Sequence, residues 1–338
     1  MISALRSATD GAAATLAAAI AGAGRVWIGT HVDPDGDALG SALGLAHLLR
    51  AAGCAASAHC QDAAPAELAF LPGVASLGAA PPDPARHDLA VALDAADPGR
   101  LGALYDAAGW SALPTLVIDH HISNPGYGAC NLVDPAASST AEIVHRLAGL
   151  LSLDIPADAA TCLLTGVVTD TLGFRTPSTT AATLDAASDL MGRGASLADI
   201  AHAVFNSRPL GSLELVGRAL ARLERRGPFA LATLTRADFA ALHLGPAEAR
   251  GIASFLATAA EPVAIAVLRE RFDGAVDVSL RAKPGYDLVP VARALGGGGH
   301  AAAAGARIDG PLDEASARVF DALAAHAPAQ TPAAGGRA

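Results

Sequence analysis

A histidine and three aspartates stand within seven residues of the chain, at His31, Asp33, Asp35 and Asp37. A proline and a glycine lie between them and favour a turn that directs alternate side chains into one pocket. Capping of the following helix would account for one aspartate, but not for three aspartates and a histidine. An EF-hand calcium loop has glutamate at its twelfth position, where this chain has Gly44, so the segment departs from that pattern.

Three further segments with aspartate or histidine follow apolar runs of the sequence. They are Asp94 with Asp97, the triplet of Asp119, His120 and His121, and Asp170. Each alone could be a turn cap or a structural histidine, but four such segments together are hard to explain in that way. Crowded carboxylates raise one another's pKa, and divalent cations remove that conflict. The residue types therefore indicate a metal centre.

The apolar runs before these residues predict the strands that position them. Residues 25–30, 88–94 and 113–118 are short and mostly apolar, and residues 37–52 have the three-four spacing of a helix. Strands that are buried on both faces and separated by helices predict a parallel sheet in an α/β fold. Ligands of such sheets bind beyond the carboxyl ends of the strands, which is where the acidic residues stand.

The second half of the chain begins with a helical pattern and ends in a glycine run. Residues 179–226 are mostly helical, and an amphipathic helix over 213–225 could connect two domains. A helix over 288–295 runs into four glycines at 296–299, which His300 follows. Glycines allow backbone N–H groups to approach a phosphate closely, although a glycine run can also be a flexible linker.

Strands are predicted between these two regions. Their bounds are 229–235, 263–271 and 275–282. Asp273 and Gly274 separate the last two, and this pair is typical of a type I′ hairpin turn. The second half therefore predicts a smaller α/β domain with a mixed sheet.

Length, charge and composition exclude several classes of protein. With 338 residues the chain is long enough for about two domains. Charged residues make up only 17%, which excludes a charge-rich disordered chain, and the net charge of −10 argues against broad binding to duplex nucleic acid. Lys283 is the only lysine. The four cysteines form no Cys-x-x-Cys pair, and we interpret them as small buried residues.

The sequence predicts no membrane segment. No charge-free run reaches 18 residues. The alanine-rich residues 11–24 could be taken for the core of a signal peptide, but they lack a strongly basic start and fit a first soluble helix better. We therefore expect a cytoplasmic protein.

Taken in order, the motifs resemble those of the DHH phosphoesterase superfamily. The resemblance is carried by residues 31–37, Asp94, the triplet 119–121 and Asp170, and residues 296–305 resemble the GGGH signature of the DHH-associated C-terminal domain. Within that superfamily the chain resembles the NrnA-type proteins, which are nanoRNases, 3′-phosphoadenosine-5′-phosphate (pAp) phosphatases and cyclic-di-AMP phosphodiesterases.

This resemblance implies a division of the chain. An N-terminal parallel-sheet domain with flanking helices at 1–209 would bind metals, and a helix at 210–227 would link it to a smaller C-terminal α/β domain at 228–326, which would bind substrate. Residues 327–338 contain little core material and are expected to be disordered.

The resemblance also implies two metal ions, usually manganese, with magnesium or cobalt as substitutes. His31 and Asp35 would bind the first ion. The second ion would be bound by Asp37, His120 and Asp170. Asp94 would bind both ions. Imidazole and carboxylate ligands suit manganese. Two such ions can activate a water for attack on a phosphoester, so no protein nucleophile is required.

Further roles are implied around the ions. His121 would act in catalysis as a contact to the phosphate, beside Asp94 and Asp97. Asp97 and Asp119 would orient ligands by hydrogen bonds, and Asp33 would form the turn. The implied substrate contacts are Arg281, Gly297, Gly298, Gly299, His300 and Arg175. The substrates would be short RNA oligonucleotides or small adenine nucleotides, and the protein would form a homodimer without stable binding to duplex nucleic acid or membranes.

Three alternatives stay open at the level of sequence. A family II inorganic pyrophosphatase is disfavoured because its C-terminal Arg-Lys-Lys cluster cannot be built from one lysine. A RecJ-like exonuclease would need a basic groove for long strands. A non-catalytic nucleotide-binding regulator would have no need of complete metal motifs. One departure bears on substrate fit: residues 170–174 read Asp-Thr-Leu-Gly-Phe, where many relatives have Asp-Thr-Gly-x-Phe.

Overall fold

The computed structural model describes residues 11, 15, 18–20, 22–249 and 251–327, without the side chains of residues 107 and 247. The chain divides into two compact units, Met1–Ser207 and Arg208–Ala338. Residues 12–14, 16, 17 and 21 of the helix predicted over 11–24 and, apart from Ala327, the predicted disordered tail lie outside the described residues. Among the described residues, no helix is long and apolar enough to cross a membrane.

The first unit is built on the predicted parallel sheet. Its five strands lie in the order β2-β1-β3-β4-β5, and all neighbours are parallel. The strands are β1 Arg25–Gly29, β2 Ala55–His59, β3 Leu89–Leu93, β4 Thr115–Asp119 and β5 Cys130–Val133. The α/β prediction is confirmed. The two edge strands were not predicted, because Ala55–His59 has the weakly β-forming sequence AASAH and Cys130–Val133 is only four residues long.

Between residues 22 and 207, a stretch that the structure describes throughout, six helices accompany this sheet. They are α1 Gly36–Ala51, α2 Ala107–Ser111, α3 Thr140–Leu150, α4 Ala157–Asp170, α5 Ala181–Gly192 and α6 Leu197–Phe205, with 3₁₀ helices at Ala66–Leu68, Val74–Ser76 and Pro98–Leu104. The strands β3 and β4 are buried at every residue. Val91 and Ile118 belong to the larger core with α1 and α4, whereas Trp27 and Ala92 pack with Trp110 in a second core. The sheet is thus covered on both faces, as its apolar strands require.

Three glycines on one face of α1 allow this helix to approach α4 closely. Gly36, Gly40 and Gly44 recur every four residues and so share a face. A Cβ added at Gly40 would lie 2.5 Å from the carbonyl oxygen of Cys162, and one added at Gly36 would lie 2.4 Å from the side chain of Thr169. The two helices can therefore pack almost backbone to backbone, which brings the first turn of α1 beside the last turn of α4.

We expect Gly40→Ala to destabilise the first unit, because the new methyl group meets a carbonyl oxygen that cannot move aside. The overpacking should lower the free energy of unfolding by about 1–3 kcal/mol. Both tryptophans of the chain, Trp27 and Trp110, lie in this unit, so urea unfolding followed by tryptophan fluorescence measures it selectively.

Gly149→Ala is the matched control, since Gly149 lies in α3 with nothing within 4 Å of an added Cβ. It should leave the stability unchanged or raise it by up to about 1 kcal/mol through helix propensity. Equal effects of the two substitutions would contradict the close approach of α1 and α4.

The second unit contains the predicted mixed sheet. Its six strands lie in the order β10-β11-β9-β8-β7-β6, with β7 and β8 parallel and the other neighbours antiparallel. The strands are β6 Glu224–Arg226, β7 Phe229–Leu234, β8 Ala264–Glu270, β9 Ala275–Ala282, β10 Gly298–Gly299 and β11 Ala303–Asp309. The helices are α7 Leu210–Ala221, α8 Arg236–Leu242, α9 Ile252–Leu256, α10 Val289–Ala294 and α11 Leu312–Ala325, with a 3₁₀ helix at Pro246–Ala249.

The structure corrects two predictions of local structure in this unit. The helix expected over 213–225 ends at Ala221, and Glu224–Arg226 forms a strand that pairs with β7. Leu215 and Ala219 of α7 pack in the core of the second unit with β7 residues. The hairpin between β8 and β9 is present, but only Gly274 of its Asp-Gly pair has positive φ, at 85°. Its N–H donates to the carbonyl of Arg271, so the turn is longer than the predicted type I′ turn.

Asp238 holds α7 and α8 together through a buried carboxylate. Its oxygens accept hydrogen bonds from Arg222 at 3.0 Å, from Arg218 at 3.1 Å and from the N–H of Thr235 at 2.8 Å. Burial alone would raise the pKa of Asp238, but these hydrogen bonds hold it well below its usual range. The ionised carboxylate therefore stabilises the fold.

We expect Asp238→Asn to lower the free energy of unfolding by about 1–3 kcal/mol, because charge-assisted hydrogen bonds are lost. The folded-state pKa is depressed, so this contribution is present above the ordinary aspartate pKa near 4 and is lost as the pH falls below it. Calorimetry of wild type and variant between pH 3 and pH 7 measures both effects. Asp273→Asn, which removes an exposed carboxylate paired with Arg271, is the control and should change stability by less than about 1 kcal/mol.

Candidate metal centre and active site

The predicted metal ligands of the first unit come together at the carboxyl end of its sheet. Asp35 and Asp37 stand at the start of α1 and Asp170 at the end of α4, while Asp94 follows β3 and His120 follows β4. The described His, Asp, Glu and Cys residues include three groups whose ligand atoms lie within 4.8 Å of one another: His31, Asp35 and Asp94; Asp37, His120 and Asp170; and Asp94, His120 and His121.

Asp94 belongs to two of these groups through different oxygens. Its Oδ2 lies 3.6 Å from Nε2 of His31, and its Oδ1 lies 3.7 Å from Nε2 of His120. The residue is 3% exposed and adopts φ 55°, an unusual backbone angle for a residue with a side chain. This carboxylate therefore faces both predicted metal positions at once.

His31 completes the first group with Asp35. Its Nε2 lies 3.8 Å from Asp35 Oδ1, which also accepts a hydrogen bond from the N–H of Asp37 as the N-cap of α1. Its Nδ1 lies 2.8 Å from the carbonyl oxygen of Val32 and 3.1 Å from Nη2 of Arg100. A proton on Nδ1 can be donated to that carbonyl, which leaves Nε2 free to bind a cation. Arg100 was not found from the sequence.

Asp37 and Asp170 face His120 in the second group. Nε2 of His120 lies 3.4 Å from Asp170 Oδ2 and 4.0 Å from Asp37 Oδ2. Asp37 is fully buried and accepts hydrogen bonds from the N–H groups of Thr140 at 2.7 Å and Ala141 at 2.9 Å. The N-terminus of α3 therefore orients the Asp37 carboxylate through backbone hydrogen bonds. No sequence motif indicated this interaction.

His121 is oriented by Asp119 rather than by the other acidic residues. Its Nδ1 lies 2.7 Å from Asp119 Oδ1, and this hydrogen bond is the main reason that the pKa of His121 is raised. Asn124, also missed from the sequence, donates to Asp119 Oδ2 at 2.6 Å. Burial alone would raise the pKa of Asp119, but the hydrogen bonds from His121 and Asn124 bring it below its usual range. An ionised Asp119 thus fixes the ring and leaves Nε2 of His121 free.

Asp97 and Asp33, like Asp119, lie outside the three groups. Asp97 is exposed, and its Oδ1 accepts a hydrogen bond from the N–H of Gly99 at 2.8 Å, as the N-cap of the 3₁₀ helix Pro98–Leu104. Asp33 adopts φ 51° in the turn, and its N–H donates to Asp62. The structure therefore brings neither carboxylate among the grouped ligands.

The loop that follows Asp170 has an unusual backbone. Leu172, Gly173 and Phe174 have φ values of 50°, 71° and 65°. Arg175 lies next to this loop and donates from Nε to the carbonyl of Leu172 at 2.6 Å. The departure from the common pattern thus falls on Leu172, where glycine would adopt the same angle without strain.

The predicted substrate arginine of the second unit lies on β9. Arg281 is half-buried, donates from Nε to Ser254 Oγ at 3.1 Å and from Nη1 to the carbonyl of Leu280 at 2.8 Å. Burial lowers its pKa, and in the described part of the chain it forms no ion pair with a carboxylate. A half-buried guanidinium without a carboxylate partner can bind an anion.

Two of the glycines at 296–299 are required by the backbone packing of this segment, apart from any contact to substrate. A Cβ at Gly297 would lie 2.1 Å from the carbonyl oxygen of Gly305, and one at Gly299 would lie 2.5 Å from Cα of Ala304, whereas Gly298 has open space. The close pairing of β10 with β11 therefore requires two of the glycines. His300, which follows, is exposed.

Three of the ligand carboxylates, those of Asp37, Asp94 and Asp170, carry more negative charge than the protein around them compensates. Burial, then the charge of Asp170, raises the pKa of Asp37 to about 7. Burial, then Asp35, raises that of Asp170 to about 7, and burial, then Asp37, raises that of Asp94 well above its usual range. Among the described residues, no lysine or arginine pairs with these carboxylates. Imidazole and carboxylate donors around such charge fit divalent cations.

We expect stabilisation by Mn²⁺ to increase with pH. Below pH 7, protons occupy Asp37 and Asp170 and compete with the cation, so binding must release them. The thermal shift caused by Mn²⁺ should therefore be larger at pH 8 than at pH 6, measured by calorimetry on the metal-free chain. In Asp170→Asn a carboxylate ligand is lost, so the shift should be smaller, and one competing proton is absent, so the shift should depend less on pH. An equal or larger shift at pH 6 in wild type would contradict this charge balance.

Comparison with known proteins supports the resemblance seen in the motifs. Residues 25–167 match the DHH family, N-terminal domain, and residues 239–325 match the DHHA1 domain. Over 305 residues the chain is 35% identical to the bifunctional oligoribonuclease and PAP phosphatase NrnA of Thermus thermophilus, covering 89% of each chain.

Two further proteins are similar to it. The chain is 30% identical over 216 residues to the cyclic-di-AMP phosphodiesterase GdpP of Geobacillus thermodenitrificans, covering 62% of this chain and 32% of GdpP. An exopolyphosphatase-related protein from Bacteroides fragilis has a similar structure, with a TM-score of 0.88, 26% identity and coverage of 94% of this chain and 96% of that one.

The chain therefore belongs to the DHH family of phosphoesterases. Within that family it is NrnA-like, and it is a hydrolase. The resemblance predicted from five short motifs is confirmed.

Proposed function

We propose that the protein is a two-metal phosphoesterase that hydrolyses short oligoribonucleotides, pAp, cyclic di-AMP or its linear product pApA. The observation that carries this proposal is Asp94, whose two oxygens face His31 on one side and His120 on the other. Similarity to the Thermus thermophilus NrnA, named as an oligoribonuclease and PAP phosphatase, supports the substrate class.

The ligands would be divided between two ions, with Mn²⁺ as the proposed metal and Mg²⁺ or Co²⁺ as substitutes. His31 and Asp35 would hold the first ion, Asp37, His120 and Asp170 the second, and Asp94 both. When bound, such ions lower the pKa of a water and neutralise the charge that develops on a phosphate. The near-complete burial of Asp37 and Asp94 excludes bulk water from one side of this centre.

His121 would contact the substrate phosphate without binding a metal ion. Asp119 accepts the hydrogen bond from Nδ1, so Nε2 is the nitrogen that can donate to a phosphate or leaving-group oxygen. The hydrogen bond with Asp119 favours the protonated ring, and protonation is required for donation from both nitrogens. Asp97 would act at a distance, through the turn that carries Arg100.

The second unit would contribute substrate contacts of its own. Arg281 supplies a half-buried cation, Gly297, Gly298 and Gly299 supply backbone N–H groups, and His300 supplies an exposed imidazole. Arg175 of the first unit is a further candidate contact, although its Nε already supports the loop at Leu172. The chain's single lysine leaves phosphate binding to arginine, histidine and backbone.

The decisive experiment is an assay of the purified protein with Mn²⁺ against pAp, di- to pentaribonucleotides, cyclic di-AMP, pApA, long single-stranded DNA and pyrophosphate. We expect hydrolysis of one or more of the short adenine or RNA substrates. Hydrolysis of pyrophosphate alone, or of long single-stranded DNA in preference, would instead favour a pyrophosphatase or a RecJ-like exonuclease. Nucleotide binding without any turnover would favour a regulator.

We expect Asp94→Ala to abolish hydrolysis of every substrate, because both ions lose a ligand. Metal analysis of the purified variant should show a reduced Mn²⁺ content. His300→Ala is the complementary variant, and it should weaken nucleotide turnover while the Mn²⁺ content stays near that of wild type. Loss of metal from His300→Ala would show that the roles of the two units are assigned wrongly.

The cytoplasmic location and the homodimer stay predictions. The proposed boundaries of the metal-binding domain at 1–209 and the substrate-binding domain at 228–326 lie close to the division after Ser207, although α7 packs within the second unit. Size-exclusion chromatography with light scattering would decide the oligomeric state.

A further inference from the structure

Thr140 contacts both of the most buried carboxylates of the metal centre. Its backbone N–H donates to Asp37 Oδ2 at 2.7 Å, and its hydroxyl donates to Asp94 Oδ1 at 3.0 Å. Its side chain is fully buried. Among the described residues, no other residue donates hydrogen bonds to both Asp37 and Asp94. Thr140 lies outside all the motifs found in the sequence.

The position of Thr140 at the start of α3 accounts for the first contact. The first N–H groups of a helix lack partners within the helix. In α3, the N–H groups of Thr140 and Ala141 donate to Asp37, and that of Glu142 donates to Ser139 Oγ. Asp37 therefore satisfies the helix end, and the helix end holds the carboxylate in one orientation.

The hydroxyl of Thr140 makes the two oxygens of Asp94 different. Oδ1, which faces His120, accepts the hydroxyl hydrogen bond, whereas Oδ2 faces His31. A donor on one oxygen prevents the carboxylate from rotating about its Cβ–Cγ bond. It also draws electron density from Oδ1, the oxygen on the side of the second ligand group.

A further buried carboxylate, that of Glu142, holds the turn before Thr140 in place. Glu142 Oε2 accepts hydrogen bonds from the N–H of Ser138 at 3.1 Å, from Ser138 Oγ at 2.6 Å and from Thr183 Oγ1 at 2.9 Å. These contacts fix the turn before α3 to the start of α5. Thr140 is thus supported by rigid elements, as a residue that orients metal ligands must be.

We propose that Thr140 is a positioning residue that holds Asp94 in the orientation in which it can bridge two metal ions. The proposal rests on the two-metal function proposed above. It assigns the hydroxyl group, rather than the methyl group, as the part of Thr140 that acts. It also separates the effect on Asp94, which needs the hydroxyl, from that on Asp37, which needs only the backbone.

The test compares Thr140→Val, which keeps the shape but loses the hydroxyl, with Thr140→Ser, which keeps the hydroxyl. Thr165→Val is the matched control, because Thr165 is also fully buried in the first unit but donates to the carbonyl of Thr161 within α4. Isothermal titration of the metal-free full-length variants with Mn²⁺ gives stoichiometry and affinity. Electron paramagnetic resonance of the loaded variants distinguishes a coupled pair of Mn²⁺ ions from isolated ions.

We expect Thr140→Val to bind Mn²⁺ about 10–100-fold more weakly and to lose the coupled signal, as is typical when a partner of a metal ligand is removed. Its kcat should fall with little change in KM, since substrate contacts are untouched. Thr140→Ser and Thr165→Val should resemble wild type in both measurements. Thermal unfolding of the metal-free variants reports whether each is folded, and Thr140→Ala provides a second variant without the hydroxyl.

Two outcomes would overturn the proposal in different ways. If wild type binds two coupled Mn²⁺ ions and Thr140→Val binds them equally well, the positioning role is refuted while the proposed function stands. A loss in Thr140→Ser as large as that in Thr140→Val would have the same consequence, because the methyl group would then be responsible. If wild type itself binds fewer than two Mn²⁺ ions, the proposed two-metal function fails.

Discussion

Repulsion among buried and half-buried carboxylates is the constraint on which the first unit depends. Asp37, Asp94 and Asp170 lie at one end of the parallel sheet, where burial and mutual charge raise the pKa of each. Such an arrangement is costly unless cations or protons neutralise it. A fold that maintains it without arginine or lysine partners among the described residues is organised for binding divalent cations, which agrees with membership of the DHH phosphoesterases.

Close backbone packing and backbone donors make this arrangement possible. The glycine face of α1 allows the start of that helix to lie against the end of α4, so Asp37 and Asp170 can face the same histidine. The free N–H groups of α3 then hold Asp37 without adding a positive side chain that would compete with a cation. Stability and metal binding therefore depend on the same contacts, and a methyl group added at Gly40 should disturb both.

The parts that sequence reasoning missed share a physical reason. Edge strands such as β2 and β5 are short or lack β-branched residues, because they are held by pairing with a neighbour rather than by their own propensity. The strand Glu224–Arg226 continues a helical pattern of charges, and pairing with β7 overrides it. Arg100, Asn124 and Thr140 contact site residues that are distant in the chain or across a turn. Such contacts leave no periodic or motif signal.

The amino-acid sequence by itself determined the ligand types, their order and the strands that carry them, because a strand's apolar pattern and the aspartate that ends it are local properties. It also identified the family, since five motifs in order are specific together. The resemblance in the motifs implied how the ligands divide and that Asp94 would bind both ions. Only the tertiary structure decided the distances between these side chains, the hydrogen bonds that hold them, and that Asp97 caps a 3₁₀ helix instead of joining them. These outcomes depend on the distance between helices and on hydrogen bonds between remote residues, which exist only once the chain has folded.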